Sequence, residues 1–256
     1  MLAFGLFMMG ALYTVIAPPA RVSAETGTSQ QVAEGKALFA VGCASCHGLN
    51  GEGQVGPGAI QGPPLQGVGA AAVDFQVSSG RMPMARPGAQ APVKPNRYSE
   101  EEIAALAAYV ATLGPGPAIP EPAEYDPANI SDEDLARGGE LFRTNCSACH
   151  NFEGAGGALP NGKYAPPLVG LDHKRLYEAM LTGPQQMPVF SDEVLTPEDK
   201  RAIIGYLDAL HERPADGGLA LGGLGPVSEG LWAWIIGLGG LICFAIWITA
   251  RGVKAK

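Results

Sequence analysis

A six-residue motif that occurs twice constrains this chain more than any other feature. "CASCHG" begins at Cys43 and "CSACHN" begins at Cys146, and together they use four of the five cysteines and two of the four histidines. The flanking sequences repeat at the same offset of 103 residues, so that "EGKALFAVG" corresponds to "RGGELFRTN" and "PPLQG" corresponds to "PPLVG". An internal repeat indicates a duplicated structural unit. The sequence therefore predicts two homologous modules, residues 30–114 and 132–211.

Both modules are predicted to be helical, so the expected fold class is mainly α. Each module opens with a helix that ends at its motif and closes with an amphipathic helix. In the closing helix of the first module, the apolar residues at helical spacing are Ile103, Leu106, Val110 and Leu113. Ser99 followed by Glu102 predicts a capping box there, and Thr196 followed by Asp199 predicts a weaker one in the second module. The chain between these helices is rich in glycine and proline, with little strand signal. We interpret four aromatic residues as helix–helix packing: Phe39, Tyr109, Phe142 and Tyr206.

The repeated motif points to one kind of chemistry. Two cysteines separated by two residues and followed by a histidine form the attachment signature of c-type haem. The thiols form thioether bonds with the haem vinyl groups, and the histidine binds the iron as its proximal ligand. The residues in these positions are Cys43, Cys46 and His47 in the first module, and Cys146, Cys149 and His150 in the second. The motif therefore predicts two covalently bound haem c groups, one in each module.

A methionine followed by a proline completes the pattern in both modules. Met82 lies 35 residues after His47, and Met187 lies 37 residues after His150. A thioether opposite the histidine makes the iron six-coordinate and raises its reduction potential, which suits electron transfer. We therefore predict His47/Met82 and His150/Met187 as the axial pairs. Met84 could compete for the first iron, but Met82 matches the second module better in register.

Two other kinds of site use the same residue types. Structural zinc takes four ligands, whereas each module supplies only two cysteines and one histidine close together. A disulfide or a thioredoxin-like pair would suit an exported chain, but it would leave the histidines and the Met–Pro pairs without a role. The remaining histidines, His173 and His211, have no partner in the sequence, and we expect both to be solvated. Met180 is expected in the core on a short helix over 173–182, and Cys243 is expected as a packing residue.

An apolar segment near the C-terminus predicts a membrane anchor. Residues 231–250 contain no charged side chain, and twenty helical residues span about 30 Å, the thickness of a bilayer core. Tryptophans at its start and basic residues after its end predict a transmembrane helix over 229–251, with a cytoplasmic C-terminus and residues 25–228 on the opposite side. A second apolar stretch, within residues 1–24, is either a signal peptide or an N-terminal membrane anchor. Both alternatives export the two modules.

Composition adds limits on partners and linkers. The net charge of −8 excludes nucleic acid as a partner, because phosphate binding needs a basic surface. Aromatic residues make up only 7% of the chain, which limits its core and makes a bound apolar cofactor an attractive supplement. The proline-rich linker, residues 115–131, is expected to be extended and stiff, and a glycine-rich linker over 212–228 is expected to be flexible.

Each module resembles a small class I cytochrome c. The resemblance rests on the order of short motifs: a glycine ahead of CxxCH, then "PPL" with a glycine two residues later, then Met–Pro, then a closing helix with a tyrosine. It implies two tandem haem domains of that fold. It also implies that the Pro63 carbonyl accepts a hydrogen bond from His47 Nδ1, and the Pro166 carbonyl one from His150 Nδ1. Gly62, which precedes the first proline, has no counterpart in the second module.

The whole chain resembles the dihaem cytochrome c subunit of the actinobacterial cytochrome bcc complex, a menaquinol–cytochrome c reductase. The stretches that carry this resemblance, besides the tandem modules, are "TGPQQMPVFS", "NFEGAGGALPNGKYAPPL" and "GPVSEGLWAWIIG". It implies an electron-transfer subunit of an oxidoreductase, without substrate chemistry of its own. The implied partners are a cytochrome b subunit, a Rieske iron–sulfur subunit that donates electrons to the first module, and a haem–copper oxidase whose dicopper centre accepts them from the second.

Two further functions stay open at this point. A stand-alone, membrane-anchored dihaem carrier would use the same residues without a permanent complex. A dihaem peroxidase would need one iron with an open or displaceable position, whereas both modules here offer a sixth ligand.

Overall fold

The duplicated sequence folds into two sets of helices. The computed structural model describes residues 27–54, 62–212, 221 and 226–253. The helices of the first repeat are α1 (Ser29–Gly42), α2 (Ala44–His47), α3 (Gly69–Ser78) and α4 (Glu100–Ala111). They are followed by α5 (Pro122–Tyr125), α6 (Asp132–Asn145), α7 (Ser147–His150), α8 (His173–Thr182), α9 (Pro197–Glu212) and α10 (Pro226–Val253). Two short strands, β1 (Gly157–Leu159) and β2 (Lys163–Ala165), lie between α7 and α8. The prediction of a mainly helical chain is confirmed.

The first helix of each repeat begins and ends at equivalent residues. The Thr28 hydroxyl accepts a hydrogen bond from the Gln31 N–H at 3.2 Å, and the Ser131 hydroxyl accepts one from the Asp134 N–H at 3.1 Å. Both helices are thus capped at their first turn, where backbone N–H groups lack helical partners. Both end one residue before the first motif cysteine, which forms the C-cap. The predicted opening helices are therefore present, and a separate helical turn carries the rest of each motif.

A glycine lets the opening and closing helices of each repeat touch. A Cβ atom at Gly35 would overlap the carbonyl oxygen of Ala105 in α4, and a Cβ atom at Gly138 would overlap the carbonyl oxygen of Ala202 in α9. Only a residue without a side chain permits such a close approach of two backbones. The same crossing is therefore built twice, from equivalent residues.

An aromatic pair packs beside each of these crossings. The ring centroids of Phe39 and Tyr109 lie 5.2 Å apart, and those of Phe142 and Tyr206 lie 5.7 Å apart. Both phenylalanines are fully buried. Tilted rings at these distances attract each other beyond the gain from burial. The interpretation of these four residues as helix–helix packing is confirmed.

The two closing helices begin as the sequence predicts. At α4, the Ser99 hydroxyl accepts from the Glu102 N–H at 3.3 Å, and the Glu102 carboxylate accepts from the Ser99 N–H at 2.8 Å. At α9, the corresponding bonds between Thr196 and Asp199 measure 3.2 and 3.4 Å. The capping box is confirmed in the first repeat, and its weaker version is present in the second.

The second repeat contains a small hairpin that the sequence analysis does not predict. Strands β1 and β2 pair antiparallel, with Gly157 opposite Ala165. The turn between them places Asn161 and Gly162 in the left-handed region, with φ of 62° and 71°. An Asn–Gly pair is a strong hairpin signal because both residues tolerate positive φ. This part of the chain has little strand signal, but the "NG" pair was a cue for the hairpin.

Helix α8 has the predicted bounds, and it corrects one expectation. Met180 is buried, as predicted, and His211 in α9 is exposed, as predicted. His173, however, is not without a partner, since its Nε2 lies 2.8 Å from a carboxylate oxygen of Asp208 in α9. The two residues are 35 positions apart in sequence, so the pair is visible only in the folded chain.

The proline-rich linker is less extended than expected. Pro122 begins the short helix α5, and the Glu121 N–H donates to the Glu124 carboxylate at 2.9 Å in a capping interaction. Earlier in the linker, the Pro117 carbonyl accepts from the Ala71 N–H of α3 at 3.1 Å. The prediction of an extended linker is wrong for α5, because proline is favourable at the first position of a helix.

The described chain forms two compact units. The first contains the residues up to Pro120 together with Glu178–Phe190, and the second contains Glu121–Tyr177 and the residues from Ser191 onward. The segment Glu178–Phe190 includes Met187. The methionine of the second repeat therefore lies on a segment that groups with the first unit.

Helix α10 is apolar and exposed on all sides. Residues Ser228–Arg251 contain an 18-residue window with a mean hydropathy of 2.2, and none of that window is buried. At 1.5 Å per residue, such a helix is about 36 Å long, enough to cross a bilayer core. Within the described part of the chain it is the one helix with the length and composition of a membrane span. The predicted C-terminal helix is confirmed, with Cys243 exposed on it, while the predicted N-terminal segment, residues 1–24, lies outside the described residues.

Candidate haem sites

In the first repeat, one helical turn gathers the motif residues. Cys43 caps α1, and its carbonyl oxygen accepts from the N–H groups of Cys46 at 3.1 Å and of His47 at 3.0 Å. Side chains three and four residues apart lie on the same face of a helix. Cys43, Cys46 and His47 therefore lie on one face of the turn, as attachment of one planar group through two sulfurs and one nitrogen requires. Both thiols are free.

A hydrogen bond fixes the orientation and the tautomer of the first motif histidine. His47 Nδ1 lies 2.7 Å from the carbonyl oxygen of Pro63. Because a carbonyl oxygen can only accept, Nδ1 must carry the hydrogen, which leaves the lone pair of Nε2 available in the neutral ring. A histidine held in this way is oriented and made more basic as a metal ligand.

The second repeat contains the same arrangement. His150 Nδ1 lies 2.9 Å from the carbonyl oxygen of Pro166, and both histidines lie 16 residues before their proline. Burial lowers the pKa of His150, against a smaller opposite effect of the hydrogen bond to Pro166. The ring is therefore neutral at pH 7, which is the form that binds a metal ion.

The loop that leads to each proline has the same backbone bonds in both repeats. The Gly53 N–H donates to the His47 carbonyl at 2.7 Å, and the Gly156 N–H donates to the His150 carbonyl at 2.9 Å. A second hydrogen bond is also common to both repeats. The Leu65 N–H donates to the Gly51 carbonyl at 2.7 Å, and the Leu168 N–H donates to the Gly154 carbonyl at 2.8 Å. Among the described residues, these two backbone bonds near each proline are thus the same in both repeats.

The first cysteine of each motif is a protonated thiol. Burial, with a smaller contribution from Cys46, raises the pKa of Cys43 to about 11. Burial, with a smaller contribution from Cys149, raises the pKa of Cys146 to about 11. Both thiols are therefore protonated at pH 7.

The two predicted methionine ligands lie on loops that follow α3 and α8. The Met82 N–H donates to the Gln76 carbonyl at 2.9 Å, and the side chain packs against the buried cluster that contains Phe39. The Met187 N–H donates to the Pro184 carbonyl at 3.1 Å. The assignment of Met82 and Met187 as sixth ligands, and the preference for Met82 over Met84, stay predictions.

The residues present fit a c-type haem. Each repeat offers two free thiols and an imidazole whose Nδ1 is hydrogen-bonded to a carbonyl, which leaves Nε2 available, in the order and spacing that haem attachment needs. In the segments that the structure describes, no three His, Cys, Asp or Glu side chains converge as a metal-ion site requires. No two of the five cysteines form a disulfide.

Lys94, near the first site, was not identified from the sequence. Lys94 Nζ donates hydrogen bonds to the carbonyl oxygens of Arg81 and Pro83, both at 3.0 Å. These carbonyls lie on either side of Met82. No local pattern signals this contact, because the lysine comes from a loop eleven to thirteen residues further along the chain.

Models of two protein families match the two repeats. The family described as "Cytochrome c" matches residues 32–114. The family described as "Cytochrome C oxidase, cbb3-type, subunit III" matches residues 133–207. Both matches coincide with the two sets of motif residues described above. Each repeat is thus a cytochrome c domain by sequence as well as by its helices.

Relatives match the chain over nearly its whole length. A protein of Corynebacterium efficiens named "Cytochrome bc1 complex cytochrome c subunit" is 47% identical over 98% of this chain and 87% of its own length. Proteins of the same name from Corynebacterium diphtheriae and Mycobacterium bovis are each 45% identical over 98% of this chain, and over 92% and 89% of their own lengths. This identity, together with the duplicated motif geometry, places the chain in the family of cytochrome c subunits of the bacterial cytochrome bc1 complex.

Proposed function

We propose that the chain is the membrane-anchored dihaem subunit of a quinol–cytochrome c reductase, and that it relays single electrons from a Rieske iron–sulfur subunit to the dicopper centre of a haem–copper oxidase. Haem iron, when bound, supplies the one-electron couple. The chain supplies attachment, axial ligands, a dry environment and anchoring. It carries out no substrate chemistry of its own.

Each residue of the duplicated site has a role in this proposal. The four motif cysteines would tether the two haems, and His47 and His150 would bind the irons through Nε2. The carbonyls of Pro63 and Pro166 hold these rings in one tautomer. Met82 and Met187 would complete the coordination, which would favour electron transfer over reactions that need an open iron position.

The observation that carries the proposal is the second copy of the histidine–proline bond. The two bonds measure 2.7 and 2.9 Å, each across 16 residues, and each starts from the histidine of a CxxCH motif. A chain that needed one redox centre would have no reason to keep both ligand arrangements intact. Two sites in one chain suit a relay, in which an electron enters at one haem and leaves from the other.

Membership of the family supports the proposed partners. The relatives are named as subunits of a complex, and we infer that this chain assembles with a cytochrome b subunit and a Rieske subunit. The first repeat would accept electrons and the second would pass them to the oxidase. Arg251 at the end of α10 favours a cytoplasmic C-terminus, with both repeats on the extracytoplasmic side.

The number of attached haems tests the core of the proposal. Intact mass and the absorption spectrum of the reduced protein in alkaline pyridine should show two covalently bound haems. Replacing Cys43 and Cys46 by serine should leave one, and replacing Cys146 and Cys149 should also leave one. Cys243→Ser is the matched control and should leave two. An unmodified mass at the four motif cysteines would contradict the proposal.

Copurification distinguishes the proposal from a stand-alone carrier. A subunit of a complex should remain with cytochrome b and the Rieske protein in mild detergent, and quinol-dependent oxygen consumption should follow it. A chain that elutes alone, with its haems in place, would favour the stand-alone carrier. Turnover of hydrogen peroxide by the purified chain would favour a dihaem peroxidase.

A further inference from the structure

The first repeat has a proline-rich loop that the second repeat lacks. Between its Met–Pro pair and its closing helix, the first repeat is eight residues longer, and the extra length lies in residues 85–97. Most of this loop is exposed, but Ala91 is only 3% exposed. An exposed insertion with one buried residue is held at that point by contact with the rest of its unit.

Lys94 of this loop holds the segment that carries Met82. Its ammonium group donates to the carbonyls of Arg81 and Pro83, so that it spans the methionine from both sides at 3.0 Å. The backbone also makes close contact, because a Cβ atom at Gly80 would overlap the Lys94 carbonyl oxygen. Gly80 has a φ of +67°, which also favours glycine. Side chain and backbone of Lys94 thus fix the same short segment.

Three residues earlier, the same loop contacts the segment that carries Met187. The Ala91 N–H donates to the side-chain carbonyl of Gln185 at 3.4 Å, although 94 residues separate them in sequence. Gln185 lies two residues before Met187 and has a φ of +62°, an uncommon conformation for a residue with a side chain. The segment Glu178–Phe190 groups with the first unit, which agrees with this contact.

We propose that the segment Ala91–Lys94, found only in the first repeat, is a shared positioning element for both methionine loops. One short stretch of chain thereby sets how firmly each thioether is presented to its iron. This inference rests on the proposed function, since it takes Met82 and Met187 as the sixth ligands. Neither residue is proposed as an iron ligand: both position a methionine loop, and Lys94 in addition places a positive charge beside Met82.

The two contacts should have different effects, because only one carries a charge. A positive charge close to an iron stabilises the reduced form, which has one positive charge fewer, so Lys94 should make the first haem easier to reduce. The contact between Ala91 and Gln185 is between neutral groups. Its loss should therefore act on the presentation of Met187 and leave the first haem unchanged.

The variants are made in the full-length protein and studied in detergent. Lys94→Gln removes the charge, and Lys94→Arg restores it with a group that can also reach two carbonyls. Lys36→Gln is the matched control, because Lys36 is an exposed lysine of α1 in the same repeat. Gln185→Gly removes the acceptor while permitting the left-handed backbone. Asn161→Gly is its control, since Asn161 is an exposed residue with the same φ of 62°.

Two readouts are taken on each variant. The near-infrared absorption of the oxidised protein reports methionine bound to haem iron, and a potentiometric titration gives the midpoint potential of each haem. Both are independent of turnover. The wild-type protein must first show methionine-ligated iron at both haems; absence of this absorption would refute the ligand assignment under the proposed function, before any variant is compared.

With that absorption present, Lys94→Gln should lower the equilibrium constant for reduction of the first haem by about tenfold. For a one-electron couple, this is a fall of about 59 mV in the midpoint potential. Lys94→Arg should recover most of this shift, and Lys36→Gln should show little of it. Gln185→Gly should weaken the methionine absorption of the second haem only. If Lys94→Gln and Gln185→Gly match their controls in both readouts, the shared positioning element is refuted while the ligand assignment stands.

Discussion

Arg137 and Asp199 give the second repeat a charge pair that the first repeat does not have. The guanidinium Nε lies 2.7 Å from the carboxylate and joins α6 to α9. The equivalent residues of the first repeat, by the repeat offsets, are Glu34 and Glu102, which are both acidic. The hydrogen bond from Arg137 holds the pKa of Asp199 below its usual value of 3.8. The two repeats should therefore respond differently to acid.

This pair predicts a pH-dependent stability difference. Because the folded protein lowers the pKa of Asp199, the stabilisation is complete above pH 3.8 and is lost as the pH falls through the lower folded value. Arg137→Gln should slightly reduce the free energy of unfolding of the second repeat at pH 7, since the pair is partly exposed. Denaturant unfolding at pH 7 and below pH 3.8 measures this.

In acid, the difference between Arg137→Gln and the wild type should shrink toward zero. Arg143→Gln is the control, because it removes a basic side chain from the same helix. A difference for Arg137→Gln that stays constant with pH would show that the charge pair is not its cause.

The choice between Met82 and Met84 is also testable at the level of single residues. Met82→Leu keeps the apolar volume but removes the thioether, so the midpoint potential of the first haem should fall by on the order of 0.1 V or more. Met84→Leu should leave it nearly unchanged. Potentiometric titration with near-infrared spectroscopy measures both variants. The reverse pattern would assign Met84 as the ligand.

The second haem provides the same comparison. Met187→Leu should lower the potential of the second haem, whereas Met180→Leu, a change at a buried core position, should leave it nearly unchanged. Electron transfer from quinol to oxygen should slow only with Met187→Leu. Normal turnover with that variant would contradict the assignment.

The residues of the candidate sites were predictable where the signal is local. The motif residues Cys43 to His47 fall within one helical turn, so their geometry follows from their spacing. His47 and Pro63 are 16 residues apart, and their contact was predictable only from resemblance to a family. Lys94 and the pair His173–Asp208 were not predictable, because each contact depends on how distant segments pack.

At the scale of secondary structure elements, the helix crossings at Gly35 and Gly138 are the most sensitive positions. Gly35→Ala or Gly138→Ala would place a methyl group against a carbonyl oxygen of the facing helix. We expect each change to reduce the free energy of unfolding of its repeat by about 3 kcal/mol, at the upper end for overpacked cores. Gly88→Ala is the control, since its nearest neighbour would lie at an ordinary 3.5 Å.

Thermal unfolding of these glycine variants measures the effect, with the haem absorption of each repeat as the probe. Equal melting temperatures for Gly138→Ala and Gly88→Ala would show that the helices can separate at little cost.

Helix α10 can be tested apart from the rest of the chain. A reporter protein fused to residues 226–253 should enter membranes and resist extraction by alkaline carbonate. Ile242→Arg places a charge near the middle of the helix and should disfavour insertion by about 3 kcal/mol. Thr249→Arg, near the end, should have a much smaller effect. Equal extraction of both variants would argue against a membrane span.

The secondary structure elements could be predicted from the sequence where the apolar periodicity and the capping residues indicate the same helix. The bounds of α8 and the capping box of α4 are as predicted, because apolar spacing and polar caps determine both locally. The hairpin β1–β2 was missed because its strands have only three residues each, too few for a periodic signal. Helix α5 was not predicted, because the prolines of the linker that contains it were interpreted as evidence of an extended chain.

At the scale of the whole molecule, the chain is a duplication in which the first repeat has one longer loop. This organisation explains most of what could and could not be predicted from the sequence. The offset of 103 residues predicted two modules with the same opening helices, and α1 and α6 differ in position by that number. The grouping of Glu178–Phe190 with the first unit was not predictable. The repeat pattern assigns this segment to the second module, whereas only three-dimensional contacts reveal where it packs.

A helix whose apolar side chains all face outward also affects kinetics. A free carrier finds its donor and acceptor by diffusion through the surrounding volume, so its rate of electron delivery depends on how many carrier molecules are present. Under the proposed function, anchoring by α10 would keep the carrier at the surface where its proposed membrane-bound partners also lie, so encounters would depend on a high effective local concentration. Dilution of the compartment would then leave the electron flux almost unchanged.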